Sequence, residues 1–303
     1  YIRDEIALHP IFILSSRRPG ILVRDHILGR KRKMKRTGVL LAAVLLLGVF
    51  SGQALAGQIV VNGSTTVLPI AQAAAEAFME AHPDVNISIS GGGSGNGIKA
   101  IIDKTTDIAN SSRFIKQSEV EAAVKNGAYP VPFAVAVDAI IPVVHPSNPV
   151  KDLTIEQLRD IYMGKITNWK ELGGADRKIA AVTRDTSSGT FEVWEEKVMN
   201  KEKIMPQAQV VASSGAMAQS VAGNPGAVGY IGIGYLESST KAVTVNGVEG
   251  NAKNALNGSF PVSRYLFMFT PGWPEGEVME FMNFILSDAG QKIVEESGFV
   301  PLR

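Results

Sequence analysis

The chain has 303 residues, with 30 Lys and Arg against 29 Asp and Glu, 4 His and no Cys. Disulfides, thiolate ligands and lipid attachment at a cysteine are therefore excluded, and so few histidines supply no histidine-rich metal site. The charge is unevenly placed: residues 1–56 hold 10 Lys and Arg against 3 Asp and Glu, so residues 57–303 carry 20 against 26, a net charge of −6. That balance gives no support to nucleic-acid binding, and it obliges any anion site to build its own positive field.

No methionine precedes Met34. From Met34 a basic start, an apolar run over residues 39–50 and Ala54-Leu55-Ala56 have the layout of a secretory signal peptide, residues 34–56. The apolar run is short of the ~20 residues that a membrane span requires. Residues 1–33 carry no periodic pattern and are read as an upstream extension. The remaining 247 residues suffice for two modest lobes or one large domain.

Residues 58–62 predict a short strand, followed by Gly63-Ser64-Thr65-Thr66 and a helix whose apolar positions include Leu68, Ile70, Ala74 and Phe78. Pro69 falls in its first turn, where a missing N–H costs little. Residues 85–90 alternate apolar and polar, as a half-buried strand does. Gly91-Gly92-Gly93-Ser94-Gly95-Asn96-Gly97 turns into a helix containing Ile98, Ile101 and Ile102. A brief strand over residues 107–110 ends at Ser111-Ser112-Arg113, and a polar helix over residues 117–125 stops at Asn126-Gly127. This alternation predicts a largely parallel sheet covered on both faces.

The pattern then changes. Residues 131–145 form a long apolar extended run interrupted by Asp138 and Pro142. A helix over residues 154–163, the loop Thr167-Asn168-Trp169 and a strand over residues 178–183 follow. A helix opens at Ser188, with Phe191, Trp194 and Val198 at helical spacing. Ser213-Ser214-Gly215 leads a short helix, and residues 226–231 read as a buried strand. A second extended run, residues 260–269, precedes amphipathic helices near residues 275–286 and 288–296. Two extended runs bracketing an α/β unit predict two lobes joined by crossover strands: residues 57–134 and 261–303 in lobe I, residues 135–260 in lobe II. One continuous sheet is the alternative.

One device recurs: a strand, then small hydroxyl residues with glycine, then a helix. It occurs at Gly63-Ser64-Thr65-Thr66, at Gly93-Ser94-Gly95 and at Arg184-Asp185-Thr186-Ser187-Ser188-Gly189-Thr190, and Ser111-Ser112 is a fourth strand end with hydroxyls. Taken singly, each hydroxyl is explained as a helix cap. Several together, at the carboxyl ends of strands, predict a ligand there. Hydroxyls, helix N-termini and the arginine at 184 all donate hydrogen bonds, which suits a small tetrahedral anion such as phosphate or sulfate. Nucleotide binding lacks its signature, since residues 91–97 are not Gly-x-Gly-x-x-Gly and no Gly-Lys-Ser/Thr follows. A serine nucleophile at 188 lacks both Gly-x-Ser-x-Gly and a well-placed histidine.

These motifs, with Asp107-Ile-Ala-Asn-Ser-Ser-Arg113, Ile166-Thr-Asn-Trp169 and above all Arg184-x-x-x-Ser188-Gly189-Thr190, resemble the periplasmic phosphate-binding proteins of ABC phosphate transporters, through nearly all of residues 57–303. The resemblance implies an α/β, two-lobed periplasmic-binding-protein fold of type II-like form, with two crossover strands as the hinge. It implies one phosphate held between the lobes and delivery of it to a membrane permease by a periplasmic, monomeric protein without cofactor, metal or catalytic residue. Carried over by position, Thr65 and the Thr66 N–H, with Ser94 and Ser112, would bind from lobe I, and Arg184, Ser188, Gly189 and Thr190 from lobe II. Ser64, Arg113 and Asp138 are further candidates. Many family members carry an aspartate where this chain has Ser112; a carboxylate accepts the proton of phosphate and repels sulfate, whereas a hydroxyl either donates or accepts. A receptor for sulfate or molybdate is thus the alternative within the binding class, and a phosphoester hydrolase on the same fold the alternative outside it.

Overall fold

A computed structural model describes residues 57–303, all within one compact unit. The signal-peptide and upstream readings, residues 34–56 and 1–33, lie outside the described residues. Strand β1 (Gly57–Gly63) leads into α1 (Leu68–Ala81), and β2 (Val85–Gly91) into α2 (Ser94–Ile102). Helix α2 starts earlier than the glycine run predicts, so Gly95 and Gly97 are helical. The reason is packing: a Cβ on Gly97 would stand 2.8 Å from the Asn62 carbonyl oxygen and from Gly63 Cα, so glycine lets α2 lie directly on β1. Next come β3 (Ile108–Ser111), α3 (Gln117–Lys125) and the long β4 (Val131–Val144).

The middle of the chain holds β5 (Asp152–Leu153), α4 (Ile155–Tyr162), a 3-10 turn (Trp169–Leu172), β6 (Ala180–Arg184), α5 (Gly189–Lys197), β7 (Gln209–Val211), α6 (Ser214–Ala222) and β8 (Ala227–Gly232). Helix α4 begins with a reciprocal cap in which Thr154 Oγ1 accepts from Gln157 N at 3.1 Å and Gln157 Oε1 accepts from Thr154 N at 2.9 Å. Strand β6 starts two residues later than the apolar run predicts, because Ile179 N donates instead to the Thr167 carbonyl at 2.8 Å, pinning that stretch to the preceding loop. After a second 3-10 turn (Ile233–Tyr235) come the short β9 (Lys241–Ala242) and β10 (Thr244–Val245), α7 (Ala252–Leu256), β11 (Ser263–Thr270), α8 (Gly276–Leu286) and α9 (Asp288–Glu296).

The strands follow the order β2-β1-β3-β11-β4-β8-β6-β7, with β9 also on β4. The sheet is mixed rather than largely parallel. Strand β1 runs parallel to β2 and β3, and β6 parallel to β7 and β8, but β11 is antiparallel to β3 and β4, and β4 to β8. The two extended runs cause this, because a chain that leaves a parallel unit and later returns must run back beside it. Strand β4 is shared: its residues 131–139 pair with β11, and its residues 140–144 pair with β8.

Hydrogen bonding is continuous along this curled path, yet the apolar residues divide into separate cores, giving the two-lobed α/β fold. Ile59, Phe78, Val135, Leu266 and Phe281 share one core, and Val143, Tyr162, Trp169, Trp194 and Tyr230 share another. Ile98, Ile101 and Phe269 fill the opposite face of the β1–β3 sheet. No helix of the described residues is long and apolar enough to cross a membrane.

Candidate functional site

Strands β1, β2 and β3 of one lobe and β6 of the other end at the place where the lobes meet. There Gly95 N donates to the Ser187 carbonyl at 2.9 Å, and Ser187 Oγ to the Gly92 carbonyl at 3.0 Å. The N-termini of α1, α2, α5 and α6 converge behind this contact. Each helix leaves its first N–H groups without intrahelical partners and carries roughly +0.5 charge at that end. The positive field that a net acidic chain must build locally is thus assembled from four helix starts and one arginine.

That arginine is Arg184, the last residue of β6 and 3% exposed. An aromatic stack holds its backbone. Trp194 on α5 lies 4.3 Å from Tyr230 on β8 at an interplanar angle of 9°, and the Tyr230 hydroxyl accepts from Arg184 N at 3.1 Å. The guanidinium is aimed by two carbonyls, with Nε donating to Val211 at 3.2 Å and Nη2 to Ala212 at 3.1 Å. Its remaining bonds go to hydroxyls: Nη1 to Ser214 Oγ at 3.2 Å and Nη2 to Thr65 Oγ1 at 3.3 Å, the latter across the lobes. Among the described residues no carboxylate forms an ion pair with it. Burial pushes Arg184 below its ordinary value, and the charge of Asp185 opposes that shift. A buried cation without an anion beside it is costly, and an anion from solution relieves the cost.

Around Arg184 the structure gathers most of the residues singled out in the sequence. Thr66 Oγ1 lies 2.9 Å from Thr190 Oγ1 across the lobes, and Ser94 Oγ lies 3.2 Å from Ser112 Oγ. Gly189 opens α5 directly against that serine pair, where a Cβ would come within 2.8 Å of Ser112 Oγ, so this glycine is a matter of space rather than backbone angle. Ser188 caps α5, its Oγ accepting from Phe191 N at 3.2 Å. These site residues are all buried, Thr65 the most exposed of the hydroxyls at 7%. Two surface cavities of about 670 and 690 Å³ are lined by none of these hydroxyl residues, nor by Arg184 or Gly189.

Four sequence-derived candidates are placed differently. Ser64 Oγ accepts from Thr66 N at 3.1 Å, so both the Ser64 oxygen and the Thr66 N–H are used inside the turn before α1. Arg113 adds no free charge, because Nη1 and Nη2 meet Glu119 at 2.8 and 2.7 Å and Nε lies 2.8 Å from Glu192 on α5. Asp138, fully buried on β4, is paired with Arg264 on β11: Nε and Nη2 reach Oδ2 at 2.9 and 2.7 Å, and Oδ1 accepts from Ile233 N at 2.9 Å. Burial pushes Asp138 up and Arg264 down, and each charge opposes the shift of the other.

Three neighbours were not singled out in the sequence. Ser214, at the start of α6, touches Arg184, Thr65 and Thr66. Its signal was present, since Ser213-Ser214-Gly215 repeats the hydroxyl-and-glycine helix start. The only signal for Arg264 is a charge inside an apolar extended run, as Asp138 is in the other. Tyr235 gave no signal; its hydroxyl donates to the Thr65 carbonyl at 2.5 Å, and burial pushes its pKa up to about 12.

The sequence and the fold both have known relatives. Residues 48–289 match the family model described as a PBP superfamily domain. The phosphate-binding protein PstS of Bacillus subtilis is 35% identical over 250 residues, 81% of each chain. A crystal structure from Clostridium perfringens with bound phosphate, assigned as a phosphate ABC transporter substrate-binding protein, superposes with a TM-score of 0.77 at 39% identity, covering 82% of this chain and all of that one. An ABC-type phosphate transport receptor from Vibrio cholerae gives a TM-score of 0.66 at 35% identity, covering 80% of this chain and 99% of that one. A chain with two α/β lobes, shared crossover strands and a buried arginine among helix starts therefore belongs to the PBP superfamily, in the family of the PstS phosphate-binding proteins.

Proposed function

We propose that this protein is an extracytoplasmic solute receptor that captures inorganic phosphate between its lobes and hands it to the membrane permease of an ABC transporter. The lobes are assigned as residues 57–134 with 261–303, and residues 135–260. The observation that carries the reading is Arg184: buried, without a carboxylate partner, and bonded to hydroxyls of both lobes. The proposed ligand contacts are Thr65, Thr66 (through its hydroxyl, since its N–H is used by Ser64), Ser94, Ser112, Arg184, Ser188, Gly189 and Thr190, to which we add Ser214. Hydrogen bonds to a charged group contribute about 1.5–3 kcal/mol each. Three or four of them approach the roughly −8 kcal/mol of micromolar binding before ordering costs are subtracted. The named relatives support the choice of phosphate and of an ABC transporter as partner. They are binding proteins and transport receptors, so the role proposed is capture without turnover, by a monomer with no nucleic-acid partner. Export rests on the leader reading of residues 34–56.

Calorimetry of purified residues 57–303 with phosphate, sulfate and molybdate tests the reading. One phosphate per chain at micromolar affinity or tighter is expected. Tight sulfate with weak phosphate would overturn it, and sustained release of product from a chromogenic phosphate ester would overturn the non-enzymatic role.

A further inference from the structure

We propose that Arg264 is a positioning residue for the ligand, holding the binding groups of both lobes in one fixed relation from its place on the crossover strand β11. The proposal rests on the phosphate-binding reading above. Four distances carry it. Nη1 donates to the Ser112 carbonyl at 2.8 Å, at the end of β3, and Nη2 to Thr190 Oγ1 at 3.0 Å, in the first turn of α5. Nε and Nη2 reach Asp138 Oδ2 at 2.9 and 2.7 Å, on the other crossover strand. One rigid, planar group therefore spans a strand end of one lobe, a helix start of the other and the hinge between them.

A hinge ion pair alone accounts for the bonds to Asp138, but not for the two that reach past it to residues around Arg184. The partner carboxylate also settles what Arg264 does there. Its charge is met by Asp138 at 0% exposure, so Arg264 brings orientation without net charge, and Arg184 remains the cation available to an anion. The orientation is specific. A hydroxyl has one proton and two lone pairs, and Thr190 Oγ1 gives a lone pair to Arg264. Its proton is thereby turned away from the guanidinium, toward the space between the lobes, where Thr66 Oγ1 lies 2.9 Å away. When the lobes part, a planar fork cannot keep both Ser112 and Thr190, so these two bonds report that the lobes are together. Lysine in the same place keeps the charge for Asp138 but is a point donor that cannot span both.

The test is a double-mutant cycle on phosphate affinity and release, read by calorimetry and stopped-flow, with the wild-type chain, Arg264→Lys, Thr190→Val and the double variant. Each single change is expected to weaken phosphate about tenfold, mainly through faster release. The double variant is expected to be no more than about twofold worse than the weaker single, because both remove the same hydroxyl orientation. Effects that multiply to about a hundredfold would show Arg264 acting on the hinge independently of Thr190 and would overturn the proposal, as would unchanged affinity in Arg264→Lys. Should Arg264→Lys not fold, the pair Arg264→Gln with Asp138→Asn takes its place in the cycle, since it removes both buried charges together. Wild-type protein that binds no phosphate overturns the underlying reading and this assignment with it; wild-type binding with a multiplicative cycle overturns this assignment alone.

Discussion

Arg184 is held by backbone carbonyls and a tyrosine hydroxyl rather than by an opposing charge, and the consequence is testable. Arg184→Ala is expected to cost at least about a hundredfold in phosphate affinity, two charge-assisted hydrogen bonds at ~1.5 kcal/mol or more each. Thermal unfolding of the ligand-free protein should hardly move, since the change also relieves a buried cation; full retention of affinity would remove Arg184 from the site. Ser112 makes a finer prediction. Its Oγ meets only Ser94 Oγ, at 3.2 Å, and receives no N–H, so it is free to accept a proton from the ligand. At pH 8 monofluorophosphate, with fluorine in place of the hydroxyl, is expected to bind about tenfold more weakly than phosphate. In Ser112→Ala the two should bind equally; equal binding to the wild type would mean that Ser112 serves as a donor. At this scale the sequence was legible where a residue's role is local. The spacing of Arg184 to Thr190 marks a helix start by itself. Arg113 was not legible, because Glu192, which meets its charge, lies on a distant helix.

Helix α5 is the element that couples the lobes. Its first turn carries Gly189, Thr190 and Glu192, and Glu192 takes Arg113 at 2.8 Å and Lys116 at 2.5 Å from the loop after β3. Arg113 keeps Glu119 if Glu192 is lost, so the expected effect of Glu192→Gln is modest: phosphate release faster by about fivefold, in line with the ~1 kcal/mol of a partly exposed pair. Stopped-flow release in low and high salt checks it. The wild-type rate should approach that of the variant as salt screens the pair, and a salt-independent difference would assign the effect to packing instead. The helices themselves were legible, since apolar spacing and Ser or Thr caps act within four residues of one another. The starts of α2 and β6 were not, because a glycine packed on β1 and a loop carbonyl at Thr167 decided them.

At the scale of the whole molecule, a ligand that binds only the folded protein stabilises it by RT ln(1 + [L]/Kd), about 2.7 kcal/mol at a hundredfold excess over Kd. For a protein of this size that is roughly a 5–10 °C rise in Tm. Differential scanning calorimetry with phosphate should show it, and Arg184→Ala should abolish it; a rise that persists in the variant would place the phosphate elsewhere. The α/β alternation, the two extended runs and the recurring hydroxyl-and-glycine helix starts are written in the order of the residues, because each depends on periodicity or on a cap a few residues long. Folding in three dimensions was needed to show that β4 is shared between two cores, that Ser214 meets Thr65 across 149 residues, and that Asp138 pairs with Arg264 across 126. Those outcomes follow from strand order and register, which bring together residues whose local sequence carries no mark of the partner.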